Sequence, residues 1–167
     1  MNIKHVNTIL KGLKKPFVAV LIGPPLSGKD TLIRKLDVPF NVVSRDDILM
    51  EVAATDDYNM AFEVADQKKV DRLLKEMIVE NANSENNVII NMTNMTSKRR
   101  RTNLSNFKNH TKVAIVFPIL SDDEYKRRNE KRLIEEKKSI PDHVIKRMIS
   151  QFQDIRHEEG FDKIITL

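Results

Sequence analysis

Apolar residues fall along this chain in short continuous runs, and four of them, at 17–22, 40–43, 88–90 and 113–117, are rich in Val and Ile with little alternation. A strand with one wet face alternates; a continuous run is covered on both faces. Between the runs lie segments with helical spacing at 29–36, 47–53, 60 to about 81, and 97 to about 107. In the third of these, Phe62, Ala65, Val70, Leu73, Leu74, Met77 and Ile78 share one face and the rest of the circumference is charged, the pattern of an amphipathic helix. The βαβα rhythm predicts an α/β protein with a parallel sheet of four to five strands and helices on both faces, residues 164–167 being the candidate fifth strand.

The last third of the chain is more polar. Ser121 stands where it can cap a helix whose first turn holds Asp122, Asp123 and Glu124, and that helix runs toward 136. Pro141 opens another helix through 152, and 135–139 reads as a mobile connection between the two. Ahead of the first strand, Ile3, Val6, Ile9, Leu10 and Leu13 give residues 1–15 a helical apolar face, either packed on the core or presented to a partner.

Composition narrows the class. A chain of 167 residues, 40% apolar and 32% charged, fits a single domain, 1–167, with a buried core. It has no cysteine, which excludes disulfides, thiolate metal sites and cysteine nucleophiles and suits a reducing interior. The longest apolar stretch, 17–23, is far short of the roughly 20 residues that span a bilayer, and residues 1–15 lack a signal-peptide apolar region. The expectation is a cytoplasmic protein without a membrane partner. A net charge of +5 favours a polyanionic or phosphorylated partner, although a mixed, solvated surface has the same balance.

The first strand runs into Gly23, Pro24, Pro25, Leu26, Ser27, Gly28 and Lys29, followed at once by a helical pattern. This is the spacing of a phosphate-binding loop, in which backbone N–H groups and the helix N-terminus surround phosphate oxygens and the lysine reaches the β and γ phosphates. Asp30 occupies the position where a Ser or Thr hydroxyl normally meets Mg²⁺, and Thr31 follows it. Asp30 can bind the ion directly, bind it through water, or serve only as a favourable first-turn charge. The dinucleotide pattern G-x-G-x-x-G is absent.

Arg45, Asp46 and Asp47 sit just beyond the second strand's carboxyl end, the ligand-binding edge of open α/β sheets. A carboxylate there can take the proton of an acceptor hydroxyl during phosphoryl transfer, or it can cap the helix that follows. The third strand ends in Asn91, Met92, Thr93 and Asn94; Thr96 or Ser97 can cap the next helix, which opens with Lys98, Arg99, Arg100 and Arg101. That basic cluster meets either acceptor phosphates or solvent. Arg128 and Arg132, four apart on one helical face within YKRRNEKR, suit a shared anionic target; the alternative is a solvated charged face.

Taken together, GPPLSGKDT, SRDD, VIINMTNMTSKRR, YKRRNEKR and IPDHVIKRM, in this order from residue 17 to about 152, resemble the 5′-hydroxyl polynucleotide kinase branch of the P-loop kinases, the phage T4 type. The resemblance implies a P-loop NTPase fold, adenylate-kinase and polynucleotide-kinase-like, with an Arg-bearing lid at about 128–141. It implies ATP as phosphate donor with Mg²⁺, Asp46 as general base, and Arg128 and Arg132 over the donor phosphates. It also implies an acceptor site at Asp46, Thr93 and Asn94; beside it the residues themselves offer Arg45 and Arg100 as acceptor contacts and Asp30 and Thr31 as candidate metal residues. A phage-encoded member would act in the host cytoplasm. Two positions depart from the family: its Asp before T-N is Met92, and its acceptor-binding Arg after R-D-D is Leu49. The acceptor is therefore a polynucleotide 5′-hydroxyl or, alternatively, a hydroxymethylated base in DNA, a nucleoside, a nucleotide or a small metabolite. A reading of another class is a nucleotide-binding switch or ATPase.

Overall fold

A computed structural model describes residues 2–136 and 138–167. Met1 and Lys137, which fall in the N-terminal segment and the connection singled out above, lie outside the described residues. In chain order the elements are α1 (Ile3–Gly12), β1 (Phe17–Ile22), α2 (Lys29–Ile33), β2 (Asn41–Ser44), α3 (Arg45–Ala53), α4 (Tyr58–Val64), α5 (Gln67–Ala82) and β3 (Val88–Asn91). There follow α6 (Ser97–Leu104), β4 (Thr111–Val116), α7 (Asp122–Glu136), α8 (Asp142–Ser150), a 3₁₀ turn (His157–Glu159) and β5 (Lys163–Thr166).

The five strands form one sheet in the order β2-β3-β1-β4-β5, every pairing parallel. All six residues of β1 are buried, which is why that run shows no alternation. Val18, Val20 and Ile22 pack with Val43, Ile90 and residues of α3, α4 and α5 on one face. Phe17, Ala19 and Leu21 pack with Ile89, Ile115, Val6 and Leu10 of α1 and Leu32 of α2 on the other. Each such side chain contributes about 1.5–3 kcal/mol of burial, so the central strand anchors both layers. Helix α1, capped by the Asn2 side chain, has its apolar face taken up by the sheet. Among the described residues no helix is long and apolar enough to cross a membrane.

The segment expected to form one helix from 60 to about 81 is two. Asp57 caps α4, accepting from the Asn59 and Met60 N–H groups; Ala65 turns extended at ψ 139°, and Asp66 caps α5 through the N–H groups of Lys68 and Lys69. An aspartate that offers the backbone an alternative acceptor breaks a helix that apolar spacing alone would continue. The break rotates α4 relative to α5, and Phe62, expected on the buried face, is 58% exposed.

Candidate active site

The turn from β1 to α2 is held from outside. Gly23 N–H donates to the Thr93 carbonyl at 3.0 Å, and Phe117 N–H donates to Ile22 O at 2.8 Å, so neighbouring strands on both sides fix where the loop starts. A Cβ at Gly23 would lie 2.7 Å from the Phe117 Cβ and 3.0 Å from Ser27 Oγ, an approach only glycine permits. Leu26 at φ 64° and Gly28 at φ 102° both adopt left-handed backbone. Such turns aim successive N–H groups inward and make an anion-binding concavity. The Lys29 ammonium folds across this concavity, donating to Gly23 O at 3.0 Å, Pro24 O at 2.7 Å and Ser27 Oγ at 3.4 Å. Burial lowers the Lys29 pKa to about 8, against the opposing pull of the Asp30 and Asp46 charges, and the positive Arg132 lowers it further.

Helix α7 lies over the loop. Arg128 Nη1 donates to Leu26 O at 2.9 Å, and its Nε to Glu124 Oε1 at 2.6 Å. Arg127 grips the same carboxylate with two bonds of 2.8 Å. Hydrogen bonds from Arg127 and Arg128 bring the Glu124 pKa down to about 2. One turn on, Arg132 Nε is 3.0 Å from Glu136 Oε2, and its charge is felt by both Lys29 and Asp46.

Asp46 stands in the first turn of α3, but neither it nor Asp47 caps that helix. Ser44 does, its Oγ accepting from Asp47 N–H at 3.3 Å. Asp46 Oδ1 accepts from the Tyr58 hydroxyl at 3.4 Å. The crowding of its surroundings raises the Asp46 pKa above the ordinary value, more than the Tyr58 hydrogen bond and Arg132 lower it. Burial, reinforced by the Asp46 charge, pushes the Tyr58 hydroxyl up to about 12. Lys29, Asp46 and Arg132 thus converge at the carboxyl edge of the sheet. Tyr58 completes the group and was invisible to motif reading, since it lies beyond a turn with no spacing signal.

Asp30, exposed on α2, accepts from Asn91 Nδ2 at 2.9 Å, while Thr31 Oγ1 is 3.5 Å from Arg34 Nη2. Among the described residues no cluster of three or more acidic or histidine side chains could enclose a metal. That donor set suits Mg²⁺, which is held by one or two protein oxygens with water and phosphate supplying the rest.

Of the sequence-derived acceptor residues, the side chains of Arg45, Asn94 and Arg100 are otherwise engaged. Arg45 bonds to Gln67 Oε1 at 2.8 Å and to Asp71 Oδ1 at 3.1 Å, tying α3 to α5. Thr93 serves the loop through its carbonyl. Asn94, 1% exposed, donates to Leu21 O at 2.8 Å and accepts from Asn103 Nδ2 at 2.9 Å. Arg100 is fully buried, its guanidinium bonded to Glu159 Oε2 at 2.6 Å and Oε1 at 2.7 Å and to the carbonyls of Asn94, Met95 and Asp154. With its donors directed into the protein, Arg100 does not face an acceptor; one of four consecutive basic residues on a helix necessarily points inward. Leu49 is also fully buried, in the core beneath α3.

The AAA domain family profile matches residues 18–155, from the first strand to beyond α8. The chain belongs to the AAA domain family. Its fold, five parallel strands with helices on both sides, is the P-loop NTPase fold of kinase-like AAA domains. A chain in the Pnkp1/Rnl/Hen1 RNA repair complex superposes with TM-score 0.67 at 22% identity, over 90% of this chain and 47% of that one. This AAA domain thus spans about half of that relative's length. Kti12 of Chaetomium thermophilum, in complex with ADP-AlF3, superposes with TM-score 0.64 at 15% identity, covering 90% and 88% of the two chains. A gluconokinase from Sinorhizobium meliloti superposes with TM-score 0.51 at 13% identity, covering 93% and 83%. At these identities the shared property is the fold.

Proposed function

We propose that this chain is an ATP-dependent kinase that transfers the γ-phosphate to a hydroxyl of a nucleic acid, in its most specific form the 5′-hydroxyl of a polynucleotide. The observation that carries the reading is Asp46: a carboxylate with no capping role, held by Tyr58, within the electrostatic reach of Lys29 and Arg132 beside the phosphate loop. The ADP-AlF3 bound in the Kti12 structure supports a nucleotide in the same fold, and the RNA repair complex supports a nucleic-acid acceptor.

In this reading the loop N–H groups and Lys29 bind the β and γ phosphates of ATP, and Lys29 exchanges its loop carbonyls for phosphate oxygens. Asp46 orients the acceptor O–H and takes its proton as that oxygen bonds to the γ-phosphorus; the bond to the β-γ bridging oxygen breaks and ADP leaves. Arg128 and Arg132 neutralise charge spreading over the transferring group. Asp30 and Thr31 would hold Mg²⁺, which supplies further charge neutralisation between the β and γ phosphates.

Purified protein incubated with γ-labelled ATP and 5′-hydroxyl oligonucleotides, DNA with hydroxymethylated bases, and nucleosides tests the proposal. Label on an oligonucleotide end is expected, with Asp46→Asn binding ATP normally and turning over about 10²- to 10⁴-fold more slowly. ATP binding or hydrolysis without transfer to any acceptor would establish the switch or ATPase reading instead. Unimpaired transfer by Asp46→Asn would remove the base assignment.

A further inference from the structure

Joined to the candidate base through Tyr58 lies a second set of groups that the reaction above does not use. Tyr58 and Phe62, one turn apart on α4, have ring centroids 6.5 Å apart with planes tilted by 32°. The Tyr58 hydroxyl is on Asp46, whereas Phe62 continues the aromatic face outward and is 58% exposed. Lys138, from the connection between α7 and α8, reaches across to this face. Its ammonium lies 5.8 Å from the Tyr58 ring centroid and 3.9 Å from the Met50 sulfur of α3.

These contacts orient the Lys138 charge without neutralising it. A thioether and an aromatic face are soft partners for an ammonium, and Lys138 has no carboxylate partner among the described residues. Four cations of α7 contrast with it, since Arg127, Arg128, Lys131 and Arg132 each have a glutamate on the same helix. A half-buried cation without a counter-ion, seated over the ring whose hydroxyl bonds the candidate base, is complementary to an acceptor that carries its own anion. An exposed ring on the same face is complementary to a flat, π-rich group. Fully buried, Leu49 of α3 cannot make the anion contact.

We infer that Tyr58, Phe62 and Lys138 form the acceptor subsite, holding a nucleotide unit with its base along the α4 rings, its phosphate on Lys138 and its free hydroxyl at Asp46. Lys138 is then a specificity-determining residue, selecting acceptors with a phosphate near the reacting hydroxyl. It lies on the connection that follows the arginine-bearing helix, so the acceptor phosphate also braces that helix over the donor loop.

The inference rests on the kinase reading, and one experiment separates the two. Transfer from γ-labelled ATP is measured to a nucleoside 3′-monophosphate and to the same nucleoside without phosphate, for wild type, Lys138→Gln, Lys138→Arg and Phe62→Leu. Wild type should favour the phosphorylated acceptor in kcat/KM. Lys138→Gln should reduce that preference about 10- to 100-fold, a loss expected for one charge-assisted phosphate contact, and Lys138→Arg should restore most of it. Phe62→Leu should lower kcat/KM for both acceptors about 5- to 150-fold, the range of one lost base stack. A wild-type preference near one, a preference unchanged in Lys138→Gln, or full activity of Phe62→Leu overturns the subsite while the kinase reading stands. No transfer by wild type to these acceptors or to a 5′-hydroxyl oligonucleotide assayed beside them overturns the kinase reading and the subsite with it.

Discussion

Replacing Glu159 by Gln keeps the side-chain shape and removes its charge, leaving the Arg100 guanidinium buried without a counter-charge. The pair is 0% and 1% exposed, with two bonds of 2.6 and 2.7 Å. Burial would raise the Glu159 pKa, but hydrogen bonds from Arg100 and the Arg156 backbone outweigh it and hold the carboxyl below its usual range. Breaking one side of such a pair costs about 3–5 kcal/mol, because the remaining charge has no solvent to turn to. For a chain of 167 residues, at about 2.1 cal/mol/K of unfolding entropy per residue, that loss lowers Tm by roughly 9–14 °C. Thermal and urea unfolding followed by circular dichroism measure it. The paired replacement Arg100→Met with Glu159→Leu removes both charges but also strips the Asn94, Met95 and Asp154 carbonyls of their donor, so it should not restore wild-type stability. With a lowered folded-state pKa, the contribution of Glu159 is complete above its unfolded value of about 4.3 and disappears as pH falls through the folded value. A loss under about 1 kcal/mol for Glu159→Gln would refute the claim that the pair is a locked structural element. So would a paired variant as stable as the wild type.

Lys29, with its pKa brought to about 8 in the free protein, loses its proton as pH rises through that value. Accordingly kcat/KM for ATP should fall above about pH 8, while kcat, which reports the nucleotide-bound form where phosphate charge keeps the ammonium protonated, stays level to higher pH. Coincident alkaline limbs in both profiles would contradict this. Gly23→Ala places a Cβ 2.7 Å from the Phe117 Cβ, an overlap with a packed side chain that only movement of the loop relieves. It should cost about 1–3 kcal/mol in urea unfolding and weaken ATP binding in calorimetry, whereas an unchanged ATP affinity would show that the loop tolerates the shift.

The sheet was legible because buried parallel strands carry their signal in the run itself: residues 17–22 were read as a strand and are β1. The phosphate loop was legible for a related reason, since Gly23 and Gly28 are placed by backbone demands that leave few alternatives. The break at Ala65 and Asp66 was harder to see, because apolar spacing continues through it and a single aspartate decides the outcome. Arg100 was misplaced for a different reason. Four consecutive basic residues look equivalent in sequence; helix register puts Arg100 on the buried face with Asn103 and Leu104, and its counter-charge, Glu159, lies 59 residues away. Tyr58 and Lys138 are brought to Asp46 and α3 by tertiary packing, for which no local pattern exists.

The buried polar residues after β3 explain how the site stays assembled when Lys29 bonds only to its own loop. Asn94, in left-handed backbone at φ 49°, reaches back to Leu21 O inside β1, while the carbonyl before it receives Gly23 N–H. Asn103 fixes the Asn94 amide, and Arg100 fixes the Asn94 and Met95 carbonyls. The loop's first residue is therefore positioned by a chain of satisfied buried hydrogen bonds that ends at the Arg100–Glu159 pair. Removing any one member leaves the next unsatisfied, at about 1–3 kcal/mol per orphaned group. Weakening of ATP affinity by Asn94→Ala, at a distance from any nucleotide contact of its side chain, is what this linkage requires. An Asn94→Ala protein that loses stability yet binds ATP as before would separate the network from the loop it is argued to hold.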